Sequence, residues 1–152
     1  MNKQLFSLGL ALTLGTGYSL TAFAQAKPET LVKQRQSAMV LIGKYWGPLA
    51  VMAQGKVPYD AAVVGRNAGY LDALDKMPWD GFNPNTKDVK SRALPAVFTD
   101  TAKFKEAQDR LQSEVAKLVA VSKNGDEAAV KLQLGATGKA CDGCHENFRE
   151  RQ

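Results

Sequence analysis

Apolar residues recur at spacings of three and four along four stretches of the chain, the period of amphipathic helices. The first stripe holds Leu31, Val32, Ala38, Met39, Ile42, Trp46, Leu49 and Ala53 and predicts a helix from Glu29 to Gln54. Pro28 stands at its start, where a missing N–H costs nothing. Gly47-Pro48 interrupts it and is expected to kink or locally break it. Gly55-Lys56-Val57-Pro58 reads as a stop and a turn. A second helix is predicted from Asp60, a capping residue, to Lys76. Its buried face is Val64, Ala68, Leu71 and Leu74, and Gly65 and Gly69 would permit close approach of a neighbour. A third runs from Asp100 to Lys123, with Phe104, Ala107, Leu111, Val115, Leu118 and Val119 inward, and stops at Asn124-Gly125. The fourth starts at the capping residue Asp126 and continues to the chain end, with Ala129, Leu132, Ala136, Ala140, Cys144 and Phe148 inward.

No stretch reads as a strand. Between the second and third helices lies a long connection, Met77 to Thr99, broken by Pro78, Gly81, Pro84 and Pro95. Connections of this length are uncommon unless they are functional or cross over a fold. The expected architecture is all-α, an antiparallel four-helix bundle with one long crossover loop between its second and third helices. Trp79 and Phe82 are expected to pin that loop to the core.

The first residues change the picture from fold to compartment. Lys3 precedes an apolar run from Leu5 to Leu20, which ends in Ala22-Phe23-Ala24. A positive start, an apolar middle and a small-residue A-x-A triplet make a secretory signal. Residues 1–24 are read as a cleaved signal peptide and residues 25–152 as one domain in the periplasm, with no membrane association after cleavage. A retained N-terminal anchor is the competing reading, since Leu5 to Ala24 could just reach across a bilayer. The formal net charge is +5. Acids and bases are interspersed without long like-charge runs, which argues against a nucleic-acid partner.

The chemistry sits near the C-terminus. Cys141-Asp142-Gly143-Cys144-His145 is C-x-x-C-H, the attachment pattern for covalent c-type haem. Two thiols add across the two vinyl groups of one haem, and thiols three apart project from one helix face. The next residue, histidine, then offers its imidazole to the iron. A disulfide would close a tiny loop and staple little. A thioredoxin-type pair belongs at a helix start after a strand. A zinc site needs further ligands, and the chain has two cysteines and one histidine. The reading is therefore one covalent haem c, with cofactor contacts at Cys141 and Cys144 and metal ligation by His145.

Arg35, Met39 and Ile42 lie one above another on the first helix. An arginine on an inward face needs an anion. Haem propionates would suit it, while snorkelling or a protein carboxylate are the alternatives. Gln36 could add a hydrogen bond at the pocket edge. Met39 could bind iron through its thioether or simply pack over the ring. Arg149, four residues after His145, either modulates the imidazole or is a solvated surface residue.

Taken together, these segments resemble the cytochrome c′ family, the class II c-type cytochromes of the bacterial periplasm. The resemblance rests on Lys27-Pro28-Glu29, Arg35-Gln36-Ser37-Ala38, Gly55, Pro58-Tyr59-Asp60-Ala61-Ala62, Met77-Pro78-Trp79, Phe82, the haem motif and Phe148-Arg149. It implies a left-handed four-helix bundle, often a homodimer joined through its first two helices. It implies that Arg35 and Gln36 contact haem, that Met39 faces the distal side of the iron, and that Arg149 stands beside the proximal histidine. Most members leave iron five-coordinate and bind NO and CO; related low-spin members use a methionine as sixth ligand. Asn83 to Leu94 matches poorly, and no haem contact is carried onto it.

The expectation is a five-coordinate cytochrome whose partners are diatomic gases and periplasmic redox proteins. The alternative is a six-coordinate electron carrier with Met39 as distal ligand. An enzyme such as a peroxidase would need distal acid–base groups. His145, the lone histidine, is committed to iron, so the chain is not read as an enzyme.

Overall fold

A computed structural model describes residues 26–123 and 126–151. The signal-peptide reading of residues 1–24 and the Asn124-Gly125 stop lie outside the described residues. Five helices follow one another: α1 (Pro28–Ala53), α2 (Ala61–Leu74), the single turn α3 (Ala96–Thr99), α4 (Thr101–Ser122) and α5 (Glu127–Phe148). The four long ones form the bundle. α1 packs on α2 and α5, and α4 packs on the same two helices, so the four close a ring around one core. Among the described residues there is no strand, only an isolated antiparallel bridge between Ala93 and Arg149.

Local chemistry sets the helix ends. The Asp60 carboxylate accepts from the Ala62 and Val63 N–H groups at 2.9 and 3.0 Å. Asp126 does the same for Ala128 and Ala129 at 2.9 and 3.3 Å. These bonds satisfy donors that the first helical turn leaves without partners. Just past the end of α1 stands Gly55, whose φ of +68° is the left-handed conformation glycine adopts without strain. There Gly55 N–H donates to Met52 O and Lys56 N–H to Val51 O, both at 3.0 Å, a Schellman pair that closes the helix.

Two expectations need correction. The local break allowed for at Gly47-Pro48 does not occur, since α1 continues through Pro48. Pro48 and Lys44, whose carbonyl loses its helical partner, both lie on the exposed face, where water can take that carbonyl. In α5, Leu132 is not inward but 79% exposed. Two stripes interleave at helical spacing there, and the bulkier one, Val130 and Leu134, is fully buried instead. Burying each such side chain stabilises by roughly 1.5–3 kcal/mol, so the helix rotates that pair inward. Among the described residues outside their own helix turn, nothing lies within 4 Å of a Cβ placed at Gly65 or Gly69, so the room these glycines leave for a neighbour is not used within the described chain.

The core is centred on Leu49, Val64, Leu118, Val130 and Leu134, which ring together the four long helices. The crossover connection is ordered by two 3₁₀ turns, Trp79–Phe82 and Pro84–Thr86. Trp79 donates its indole N–H to Asp75 O. Phe82 packs edge-on against Phe104 at 4.9 Å, and Phe104 against Phe148 at 5.2 Å. Trp79 and Phe82 thus pin the loop as expected.

Candidate functional site

The last two turns of α5 carry the C-x-x-C-H residues. Cys141 and Cys144 are both free thiols, and both are half-buried, as is His145. Burial, aided by Asp142, pushes the Cys141 thiol up to about 11, and burial also raises Cys144. Thiols held protonated are poor redox nucleophiles, which argues against a thioredoxin-type pair. Among the described residues no group of three or more His, Cys, Asp or Glu could hold a metal ion, which removes the zinc reading.

His145 is held below its ordinary range, first by burial and then by the positive charge of Arg149, with Arg92 adding and Asp142 opposing. The imidazole is therefore neutral at neutral pH, with a lone pair available to a metal. Arg149 reaches this position differently from the expected helical placement. α5 ends at Phe148, and Arg149 is extended, with φ −132° and ψ 135°. It pairs with Ala93, while Leu94 N–H donates to Phe148 O at 3.0 Å and Glu150 N–H to Arg92 O at 2.9 Å. The end of the crossover connection is thereby stitched to the chain directly after the motif.

The two thiols open onto different spaces. Cys141 lines a small inner cavity of about 10 Å³ with Ile42, Trp46, Asp75 and Thr137. Cys144 lines a cleft of about 340 Å³ with Phe148, Lys103 and Lys139.

Across the bundle, Arg35 is 3% exposed. It neither snorkels nor, among the described residues, pairs with a carboxylate. Its guanidinium donates to Gly81 O, to Thr86 Oγ1 at 3.2 Å and to Ser91 Oγ at 2.8 Å, and sits 4.6 Å over the Phe82 ring. All these partners are neutral, so among the described residues the charge has no anion, and burial lowers its pKa. Such a charge suits an anionic ligand group. Gln36 is exposed and Met39 half-buried. Ile42 and Trp46, one and two turns beyond Met39, are the α1 residues at the cavity with Cys141.

Sequence reasoning missed the clasp around Arg35. Thr86 and Ser91 lie in the stretch that matched the family poorly. Gly81 was read only as a loop breaker. A Cβ there would stand 2.6 Å from Arg35 Cβ and 2.7 Å from Leu31 O, so only glycine lets the loop approach α1. Asp75, 1% exposed at the end of α2, was also missed.

The residues fit covalent haem: two free thiols three apart, a neutral imidazole beside them, and a buried cation without an anion. Comparison with known proteins agrees. The sequence model of the family described as Cytochrome C' matches residues 30–149. The cytochrome c′ of Rubrivivax gelatinosus is 44% identical over 126 residues, covering 82% of this chain and 98% of that protein. Its crystal structure superposes with a TM-score of 0.77. A nitric oxide complex of a cytochrome c′ variant from Alcaligenes xylosoxidans is 36% identical, with a TM-score of 0.75 over 83% of this chain and 98% of the other. A carbon monoxide-bound variant of that protein matches with the same identity, coverage and TM-score. Haem c is the covalent cofactor of this family, and Cys141 and Cys144 are the two cysteines this chain has to hold it.

Proposed function

We propose, since the chain belongs to the cytochrome c′ family, that it is an exported, periplasmic haem protein that binds NO and CO and passes single electrons. Thioether bonds at Cys141 and Cys144 hold one haem c, and His145 is its proximal ligand. The observation that carries this reading is the C-x-x-C-H turn itself. It offers two free, half-buried thiols and an imidazole kept neutral by burial and by Arg149. When bound, the haem supplies an iron centre that takes up a gas or stores one electron.

The protein's own residues do the rest. His145 presents a lone pair that needs no proton loss at neutral pH. Arg149 and Arg92 keep it so. Arg35 holds the crossover connection against α1 and offers its buried charge to a propionate, with Gln36 at the solvent edge. Trp79, Phe82, Phe104 and Phe148 form an apolar wall. Met39 crowds the distal side without binding iron. One observation favours this over a six-coordinate carrier: variants of a relative from Alcaligenes xylosoxidans form NO and CO complexes. The family's members are electron-transfer and gas-binding haem proteins rather than classical enzymes, which supports reading this chain as a gas binder and electron carrier.

Exposed Val40, Leu41, Val57 and Tyr70 leave apolar surface on α1, α2 and the turn between them. That surface supports a homodimer joined through the first two helices. Sedimentation of the purified protein tests it, with a dimer expected.

The functional test is the absorption spectrum of the ferric and ferrous protein before and after CO. A high-spin spectrum that shifts with CO is expected. A low-spin spectrum with a sulfur-to-iron charge-transfer band, indifferent to CO, would instead make Met39 the sixth ligand.

A further inference from the structure

One ionisable group in the bundle interior has no task in that reading. Asp75 follows the last residue of α2 and is 1% exposed, and among the described residues neither of its carboxyl oxygens has a hydrogen-bond partner. Two donors reach this residue, the Trp79 indole and the Gln112 amide at 3.3 Å, and both give their protons to its main-chain carbonyl. Asp75 is also one of the residues around the small inner cavity that Cys141 lines.

The enclosure is nearly free of charge on every side. α1 presents Ile42 and Trp46, α4 presents Leu111 and Val115, and α5 presents Thr137 and Cys141. Of these only Cys141 could titrate, and a Cys141 sulfur tied up in a thioether carries no charge. On its own element the nearby charges are Asp72 and Lys76, which pair with each other at 2.9 Å. An unpartnered carboxyl in such surroundings is easier to keep as the acid than as the anion. Desolvation accordingly pushes Asp75 up to about 6, with Lys76 opposing and Asp72 adding. Charge placed on a group bonded to Cys141 would act on this carboxyl with little water between to screen it.

We infer that Asp75 is the proton-binding partner of the haem electron, taking up one proton from solvent on reduction and releasing it on oxidation. A one-electron donor is oxidised and ferric iron becomes ferrous. An O–H bond forms on the Asp75 carboxylate as a hydronium ion gives up its proton. The added electron and proton cancel, so the interior gains no net charge. The inference rests on haem being attached at Cys141 and not on which group faces the distal side.

The reduced protein then binds more protons than the oxidised one, so its reduction potential falls as pH rises. The test is a spectroelectrochemical titration of the holoprotein across the region around pH 6. The slope there should approach the one-electron limit of about 59 mV per tenfold change in proton concentration. Asp75→Asn should flatten it. Redox-difference infrared spectra of the unaltered protein should show a carboxylic-acid C=O band that appears on reduction, so the test stands even if the variant folds poorly. A flat wild-type potential, a slope that survives Asp75→Asn, or a slope without the acid band would overturn the inference. A chain purified without covalent haem would overturn the reading of the site, and this inference with it.

Discussion

Arg35 on α1 and Asp75 at the end of α2 are both ionisable and both buried, but the regions around them are built differently. Arg35 sits in a clasp of acceptors drawn from 46 to 56 residues away, with an aromatic face beside it. Asp75 sits among apolar side chains with no partner for its carboxyl. The first arrangement spends hydrogen bonds to hold a charge in place. The second leaves a charge so costly that protonation relieves it. A buried cation here organises the fold, whereas a buried acid records the charge state of its surroundings.

The sharpest way to break that contrast is to remove the clasp. Arg35→Leu should destabilise the protein by about 3 kcal/mol, because buried acceptors lose bonds to a charged donor. Equilibrium denaturation measures it, and a change below about 0.5 kcal/mol would make the clasp decorative. Gly81→Ala should cost about 2 kcal/mol, since its Cβ would meet Arg35 Cβ and Leu31 O at 2.6 and 2.7 Å. The opposing contact includes backbone, so neither side yields freely.

At Asp75 the effect reverses sign. Its folded pKa, about 6, lies above the ordinary carboxylate value of 3.8. The folded state therefore holds the proton over a pH range where the unfolded chain has released it. Stability is fully present below that range, falls as pH rises through it, and is lowest above about pH 6. Asp75→Asn should abolish this decline and melt a few degrees higher, about 3 °C, at neutral pH. A variant that melts lower there would show that the carboxylate has a partner. Smaller still, Asp60→Ala removes the acceptor for two N–H groups at the start of α2 and should cost about 1 kcal/mol in the same denaturation assay. The smallest effect is expected at the exposed Lys105–Asp109 pair, where Asp109→Asn should change stability by less than about 0.5 kcal/mol.

Much of the architecture was legible because it is local. Helical spacing, Asp60 and Asp126 as caps, and Gly55 as a stop all act within a few residues, and each stands where the pattern put it. The motif at Cys141 to His145 is equally local. What failed was non-local. Two stripes on α5 have the same period, and only packing decides that Val130 rather than Leu132 turns inward. Pro48 reads as a breaker until its face is known to be wet. Thr86 and Ser91 carry no pattern that announces Arg35 as their partner. Nothing local marks Asp75, because its burial depends on α1, α4 and α5 closing around it.

The central claim is covalent haem c held by this one turn of α5. Its most direct test is the intact mass of the denatured protein from cells that make c-type cytochromes. The account predicts a mass raised by one haem that survives acidified solvent, and no such addition when Cys141 and Cys144 are both replaced by serine. A mass equal to the bare polypeptide, or a haem that washes out on denaturation, would contradict it.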